Sequence, residues 1–492
     1  MRVLFVNPMI YLDYAVLSPY RIINLGPLYI SSVLLKEGHY QIVKNVFKRK
    51  FTSLLKKTNP EILMITCMAE QQKLMIDFAK KAKSYNSKII VIIGGYYPTF
   101  NYDILLEKYS KYFDYVVLGE GEETVKELIK SLEGKIPIEK VKGVAYSKHG
   151  KVVFNGYRDF VNLNKLPFPA RFLIKDPVLY VSFSRGCPHN CSFCAVKVFY
   201  KRRLRFREPE NIVEELKFIL RKLKRNKNYH VILTDEDFIP SNIFINNFRN
   251  LIKKNKINLT FACSLRITDF SYNLFLKMYE SNFRYFFFGI QNFNPEIRNF
   301  FNQSVSQKDL FAFFKTIKKI SSDKSKKIKL RFAYIINSGH PFENSNFILK
   351  NAQDFSAFLK NRLSNKNLNI NLNIILNPLR IWKGTDLFDY FHDKNYLINE
   401  KEDKNNDEAE YDYNYNDVHF KEIKNLFYKV KNILRPYSFY KNPIQNRFIS
   451  FYKSSLSFKN KIILIMLVFI FIFKEKNFDN AILKAVRHVV DV

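Results

Sequence analysis

"SFSRGCPHNCSFCAV", residues 182–196, packs Cys187, Cys191 and Cys194 into eight positions directly after an apolar run, in a chain of 492 residues with five cysteines. Three thiolates spaced Cys-x3-Cys-x2-Cys on one short loop can hold three corners of an iron–sulfur cubane, which leaves the fourth iron without a protein ligand. A structural zinc site with His189 as fourth ligand is the alternative. His189 lies between the first two cysteines, where reaching the same metal is awkward.

The cysteines sit at the end of the first of six apolar runs: 178–184, 230–234, 257–264, 284–289, 328–336 and 368–376. Helical periodicity separates them, at about 209–225, 241–254, 271–281, 306–321 and 345–361. Six strand–helix repeats predict a partial β/α barrel, whose chemistry gathers at the C-terminal strand ends. Read in order, those ends are "SRGCPHNCSFC", "TDEDF", "CSLR", "GIQN", "NSGHPFE" and "NPLR".

A second alternation precedes this one. "RVLFV" (2–6), "EILMIT" (61–66), "KIIVIIG" (88–94) and "DYVVLG" (114–119) are too short for helices and rich in β-branched residues, with helical stretches at 26–37, 70–85 and 122–132. Continuous apolar strands with helical crossovers imply a doubly wound parallel sheet covered on both faces. "GVAYSKHGKVVFN" (143–155) reads as a hairpin and the proline-containing 162–177 as a linker. The expected organisation is therefore α/β: a Rossmann-like domain over 1–142, hairpin and linker over 143–177, a partial (β/α)6 barrel over 178–385, and a mainly helical region with a polar loop (399–417) over 386–492.

Composition narrows the class less. The net charge of +35 invites a nucleic-acid or membrane partner, but Lys, Asn, Ile, Phe and Tyr are all abundant, as A/T-rich codons would make them. No basic block interleaved with aromatics marks a nucleic-acid site. "IILIMLVFIFIF" (462–473) would reach only about 18 Å as a helix, short of a bilayer core of about 30 Å. It is read as a packed helix, or as a peripheral membrane contact. The N-terminus reads as a buried strand without a signal peptide, which points to a cytoplasmic or membrane-peripheral setting in which clustered cysteines bind metal.

The signature at Cys187, Cys191, Phe193 and Cys194, with "RLRFREPENIVEEL" (203–216) after it, resembles the radical S-adenosylmethionine enzymes over residues 176–385. The resemblance implies a 4Fe-4S cluster held by the three cysteines. S-adenosylmethionine would chelate the open iron, and its one-electron cleavage would yield a 5′-deoxyadenosyl radical. It further implies Phe193 near the adenine, or simply shielding the cluster. Asp235, Glu236 and Asp237 would lie near the cofactor's ammonium group, a helix N-cap being the competing role. Arg266 would pair with the cofactor's carboxylate, and Gln291 would take the place of a ribose-binding glutamate. "RIWKGTDLF" (380–388) is similar to a "PGT-x-L" stretch that follows the barrel in relatives.

"NLGPLYISSVLLKEGHYQIV" (24–43), "VIIGGYYPT" (91–99) and "VVLGEGEETVKELI" (116–129) resemble the cobalamin-binding domain of cobalamin-dependent members of that family. Gly94, Gly95, Gly119, Glu120 and Gly121 are the candidate cobalamin-binding residues, at strand ends where a bulky ligand can approach the backbone. A helix from Glu122 would turn its free N–H groups to the same edge. The Asp-x-His-x-x-Gly pattern of many cobalamin carriers is absent, so no histidine is offered to the cobalt. Only Cys67 and Cys263 lie outside the cluster trio, which excludes a second cluster and with it the tRNA methylthiotransferases.

Together these readings imply a radical enzyme that methylates an unactivated carbon of a small-molecule or lipid-like substrate, reduced by a flavodoxin- or ferredoxin-type protein. Radical cyclisation or rearrangement without methyl transfer, an RNA-modifying enzyme, and a non-catalytic cofactor-binding protein are the alternatives. Tyr96, Tyr97 and His340 are candidates to line a substrate pocket. No catalytic residue is assigned.

Overall fold

Alternate side chains of the N-terminal strands feed two different cores. Leu4, Val6, Leu63, Ile65, Val91 and Ile93 pack into one, while Val3, Phe5, Ile62, Met64 and Ile92 pack into the other. A strand buried on both faces must be apolar throughout, which is why these runs do not alternate with polar residues. In the computed structural model they form β1 (Arg2–Met9), β3 (Ile62–Thr66), β4 (Ile90–Gly94) and β5 (Tyr115–Val117), with β2 (Tyr40–Phe47) at the edge. The sheet order is β2-β1-β3-β4-β5-β6-β7. The first five strands are parallel, and β6 (Val144–Lys148) and β7 (Lys151–Phe154) add an antiparallel hairpin. Helices α1 (Leu25–Lys36) and α5 (Glu122–Leu132) contribute to the second core. The first core receives α2 (Lys48–Thr58), α3 (Gln72–Tyr85) and α4 (Tyr96–Tyr109). The 2-1-3-4-5 order is that of a doubly wound sheet, which binds ligands beyond the carboxyl ends of its strands.

The second sheet is all parallel, in the order β15-β14-β13-β12-β11-β8. Its strands are β8 (Leu179–Val181), β11 (His230–Leu233), β12 (Thr260–Leu265), β13 (Phe283–Gln291), β14 (Ile328–Ile335) and β15 (Ile370–Asn377). Each sequence-predicted run contributes one of them. A small antiparallel pair, β9 (Ser184–Arg185) with β10 (Arg205–Phe206), and α6 (Ala195–Phe199) intervene between β8 and the crossover helix α7 (Pro209–Lys222). The later crossovers are α8 (Asn242–Lys254), α9 (Tyr272–Glu280), α10 (Pro295–Phe300) with α11 (Gln307–Ser321), and α12 (Ser345–Leu363); α13 (Asp386–Asp393) follows β15. Phenylalanine fills much of this core. Phe183 meets Phe238, Phe248 and Phe261 edge-to-face, and Phe238 stacks on Phe283, arrangements favoured by the ring quadrupole.

The structure describes residues 1–9, 25–173, 179–222, 229–322, 328–336, 338, 340, 343–363, 370–377, 379, 381–394, 429–430 and 432–434, all within one contiguous unit of contacts. The expected polar loop at 399–417, the apolar segment 462–473 and most of the expected C-terminal helical region lie outside these residues. Among the described residues no helix is long and apolar enough to cross a membrane.

Candidate functional site

The cysteine loop leaves β9 through Gly186, whose φ is +91° and where a Cβ would stand 2.0 Å from the Arg203 carbonyl oxygen. Only glycine lets the 200–203 turn close over the loop at that point. Beyond it, the loop is tied down from several elements. Ser192 N–H donates to the Phe301 carbonyl at 2.9 Å and its hydroxyl to that of Phe300 at 2.9 Å. The Ser192 carbonyl accepts from Leu387 N–H at 3.1 Å. Lys197 reaches Asp386 at 2.6 Å, so Asp386 and Leu387, at the start of α13, tie down the cysteine loop and the helix that follows it. Phe193 packs edge-on against Phe301, with centroids 4.9 Å apart, beside Ile297, Leu387 and Phe391.

The three acids after β11 hold successive parts of the same loop. Asp235 accepts from Phe183 N–H at 2.9 Å, from Ser184 N–H at 2.7 Å and from the Ser184 hydroxyl. Glu236 accepts from Gly186 N–H at 2.9 Å. Asp237 lies 3.8 Å from Cys187 Sγ and 3.2 Å from His189 Nε2. The helix-cap role weighed for these acids falls to Ser241, whose hydroxyl accepts from Phe244 N–H at the start of α8. Burial raises all three acids, Asp235 to about 7 despite its donors.

His189 bridges Asp237 and, at 2.9 Å, Asp269; these hydrogen bonds raise it to about 9. Ligand atoms of Cys187, His189 and Asp237 lie within 4.8 Å of one another, closer than the sequence spacing led us to expect. An imidazolium held between two carboxylates donates, however, and offers no lone pair to a metal. Burial raises Cys187 to about 12 and Cys194 to about 11, and raises Cys191 against the nearby charge of Arg266. All three therefore remain neutral thiols until a metal ion replaces their protons.

Arg266, at the end of β12, is buried and reaches Cys191 Sγ at 3.8 Å through Nη1. Among the described residues its Nε and Nη2 have no hydrogen-bond partner, and neither does Asp237 Oδ1. A buried guanidinium with an open edge, beside a buried carboxylate with an open oxygen, suits the carboxylate and ammonium of an amino acid. Gln291 closes β13 at a bulge with φ +61°.

On the first sheet the expected glycines sit at strand ends. Gly95 follows β4 with φ +104°, and a Cβ there would meet the Cys67 carbonyl at 2.9 Å. Gly119 N–H donates to Thr99 Oγ1 at 3.1 Å, and Gly121 precedes α5. Glu120, expected to face a cofactor, is engaged elsewhere. It accepts from Arg205 at 2.7 Å, Arg185 at 3.0 Å and Val161 N–H at 3.0 Å, while Glu122 accepts from Arg185 at 2.8 Å. The start of α5 therefore carries carboxylates that face barrel arginines. Burial would raise Glu120, but Arg205 and Arg185 outweigh it and hold the group below its usual range.

Of the three pocket candidates, Tyr97 is buried in the N-terminal core. Tyr96 stacks on Phe199 at 4.4 Å with its hydroxyl 3.4 Å from Glu236, so it touches the barrel directly. His340 sits edge-on to Phe300 at 4.8 Å.

A doubly wound sheet followed by a parallel six-stranded sheet with a three-cysteine loop defines a class, and the comparisons agree. The B12 binding domain model matches residues 12–129 and the Radical SAM superfamily model residues 181–331. The chain thus carries a B12 binding domain followed by a radical SAM domain. It is 26% identical over 313 residues to an uncharacterized methyltransferase of Pyrococcus horikoshii, covering 60% of this chain and 66% of that protein. It is 36% identical over 155 residues to the hopanoid C-3 methylase of Methylococcus capsulatus, covering 30% and 29%. The chain thus matches less than two thirds of either relative. The cobalamin-dependent S-adenosylmethionine radical enzyme OxsB, solved with aqua-cobalamin and S-adenosylmethionine, superposes with a TM-score of 0.65 at 17% identity, over 100% of this chain and 75% of that one. That likeness concerns the fold.

Proposed function

We propose that this protein is a cobalamin-dependent radical S-adenosylmethionine enzyme that methylates an unactivated carbon. Bound together, a 4Fe-4S cluster and S-adenosylmethionine would supply a 5′-deoxyadenosyl radical, and cobalamin would supply the methyl group. Cys187, Cys191 and Cys194 would hold the cluster. Arg266 would bind the carboxylate of S-adenosylmethionine and Asp237 its ammonium, while Phe193 would shield the cluster from water. Glu236 would fix the loop through Gly186 and turn toward the cofactor beside Tyr96. Asp235, whose oxygens are spent on the protein's own backbone, would support the loop without touching a ligand. Gly94, Gly95, Gly119 and Gly121 would leave room for the corrin edge. A flavodoxin- or ferredoxin-type protein would provide the electron. The matched hopanoid methylase favours a small molecule with a lipid-like framework as substrate.

The observation that carries this reading is the buried Arg266 guanidinium, 3.8 Å from a thiol of the trio and with two nitrogens that find no partner among the described residues. The test is metal analysis of protein purified without oxygen from cobalamin-fed cells, followed by incubation with S-adenosylmethionine and a reductant. About four irons and one cobalt per chain, with 5′-deoxyadenosine formed, are expected. Iron without cobalt would overturn the methyltransferase reading.

A further inference from the structure

The two stretches that mark the two domains, "GEGE" (119–122) and "SRGC" (184–187), bind one another. Arg185 stands two residues before Cys187, and its guanidinium spans two carboxylates, Nη1 to Glu120 at 3.0 Å and Nη2 to Glu122 at 2.8 Å. Arg205, from the strand paired with β9, adds two further bonds to Glu120, at 2.7 and 3.0 Å. Its Nη1 also donates to the Val161 carbonyl at 2.9 Å, and Val161 N–H donates back to Glu120 at 3.0 Å. Both glutamates are nearly inaccessible, with side chains 5% and 3% exposed. Tyr29 of α1 lies under the Arg185 guanidinium at 4.8 Å, and Phe160 under that of Arg205 at 4.5 Å.

This is more than a surface pair. Forked, buried bonds between planar groups fix direction as well as distance. They join the loop that ends β5, at the ligand edge of the first sheet, to the strand that leads into the cysteine loop. We infer that Glu120, Glu122, Arg185 and Arg205 form a positioning latch that sets the separation and orientation of the cobalamin and cluster sites. The inference rests on the proposed function, in which a methyl group and a radical must meet at one substrate carbon. Misplacement by about an ångström is costly for such encounters. The four side chains act through the loops they hold and are positioning residues.

The test compares full-length wild type with E120Q and R185K, each loaded with iron and cobalamin. E120Q keeps the shape and removes the charge. R185K keeps the charge, but one ammonium cannot reproduce a fork across two carboxylates. Two readouts are taken: tryptic cleavage between residues 155 and 178, and the magnetic coupling between cob(II)alamin and the reduced cluster, measured by pulsed electron paramagnetic resonance. Cleavage that proceeds from a transiently opened state reports the population of that state. It is expected to rise on the order of 30-fold in E120Q, as befits loss of one partner of a buried charge pair. R185K should rise less. In both variants the cobalt–iron coupling is expected to shift or broaden, with iron content unchanged. Faster cleavage with wild-type coupling would reduce the network to a structural tie and overturn the inference, as would no change in either readout. A variant that fails to fold is recognised by loss of iron, and R185K then decides. Wild type that binds iron but no cobalt would overturn the functional reading itself, a result visible in the metal analysis before any variant is compared.

Discussion

Replacing Arg266 with methionine should weaken S-adenosylmethionine binding and strengthen the empty protein. The two effects have opposite signs because of what surrounds the guanidinium. It is 7% exposed, Nη1 reaches a thiol, and among the described residues Nε and Nη2 have no partner. A buried donor left unsatisfied costs about 1–3 kcal/mol. Two such donors on one group, with methionine filling similar volume, give a net gain of about 2 kcal/mol in the iron-free chain. For domains of this size that raises the unfolding midpoint by about 4–8 °C. When the ligand is present the balance reverses. Truncating one partner of a buried, hydrogen-bonded charge pair costs about 2–5 kcal/mol, which is roughly 30- to 5,000-fold in affinity. Asp237 keeps His189 as its counter-charge in the variant, so the substitution does not orphan a second ion. Thermal unfolding of the iron-free protein gives the first number. Equilibrium binding of S-adenosylmethionine to cluster-loaded protein gives the second, with iron content as the control, since Arg266 also lowers the Cys191 thiol. An R266M protein that unfolds earlier than wild type, or that binds S-adenosylmethionine as tightly, would refute the assignment of its open edge to a ligand.

Three further outcomes follow from the same geometry. G186A should lose most of its iron, because a Cβ would stand 2.0 Å from the Arg203 carbonyl at a φ of +91°; iron per chain checks this, and near-wild-type iron would count against the loop's dependence on that turn. C191A should abolish iron binding, whereas C67A, in the core of the first sheet, should retain it at a stability cost of about 1 kcal/mol, read by chemical denaturation. The latch should also respond to acid. Glu120 is held below its ordinary value of 4.5 in the folded chain, so its contribution is fully present above that value and is lost as pH falls through the lower folded value. Tryptic sensitivity between the domains is replaced by an acid-active protease in this range, and cleavage that rises already above pH 4.5 would contradict the assignment.

The six strands of the second sheet were legible because each is an apolar run closed by a polar strand end, and the intervening helices carry their own period. On the first sheet β2 and the helices α2 and α4 were missed. β2 reads "YQIVKNVF", with Tyr40, Lys44 and Asn45 exposed on an edge strand, so its apolar run is broken by polar residues. α4 begins with "YYPTF" and bends at Asn101, and its aromatic start resembles a loop lining more than a helix. The hairpin 144–154 was legible as a hairpin, but not its pairing with β5, which only the fold brings about.

Site residues divide along a related line. The cysteine trio could be read because its ligands are local and the chemistry follows from spacing alone. What positions the trio is remote in sequence: Arg266 is 75 residues from Cys191, and Glu120 is 65 from Arg185 and 85 from Arg205. No periodicity reports such pairs. The acids after β11 show the consequence most clearly. From sequence they are three equivalent carboxylates at a strand end, each as fit as the next to meet an ammonium group. In the fold Asp235 turns back to three donors of Phe183 and Ser184, Glu236 takes one loop amide and faces Tyr96, and of the three only Asp237 retains an oxygen without a partner among the described residues. A carboxylate whose oxygens are already satisfied gains little from a new cation, whereas one with an open oxygen in a buried site gains much. The ligand-facing acid is therefore distinguished by what its neighbours leave undone, and that is a property of the folded chain.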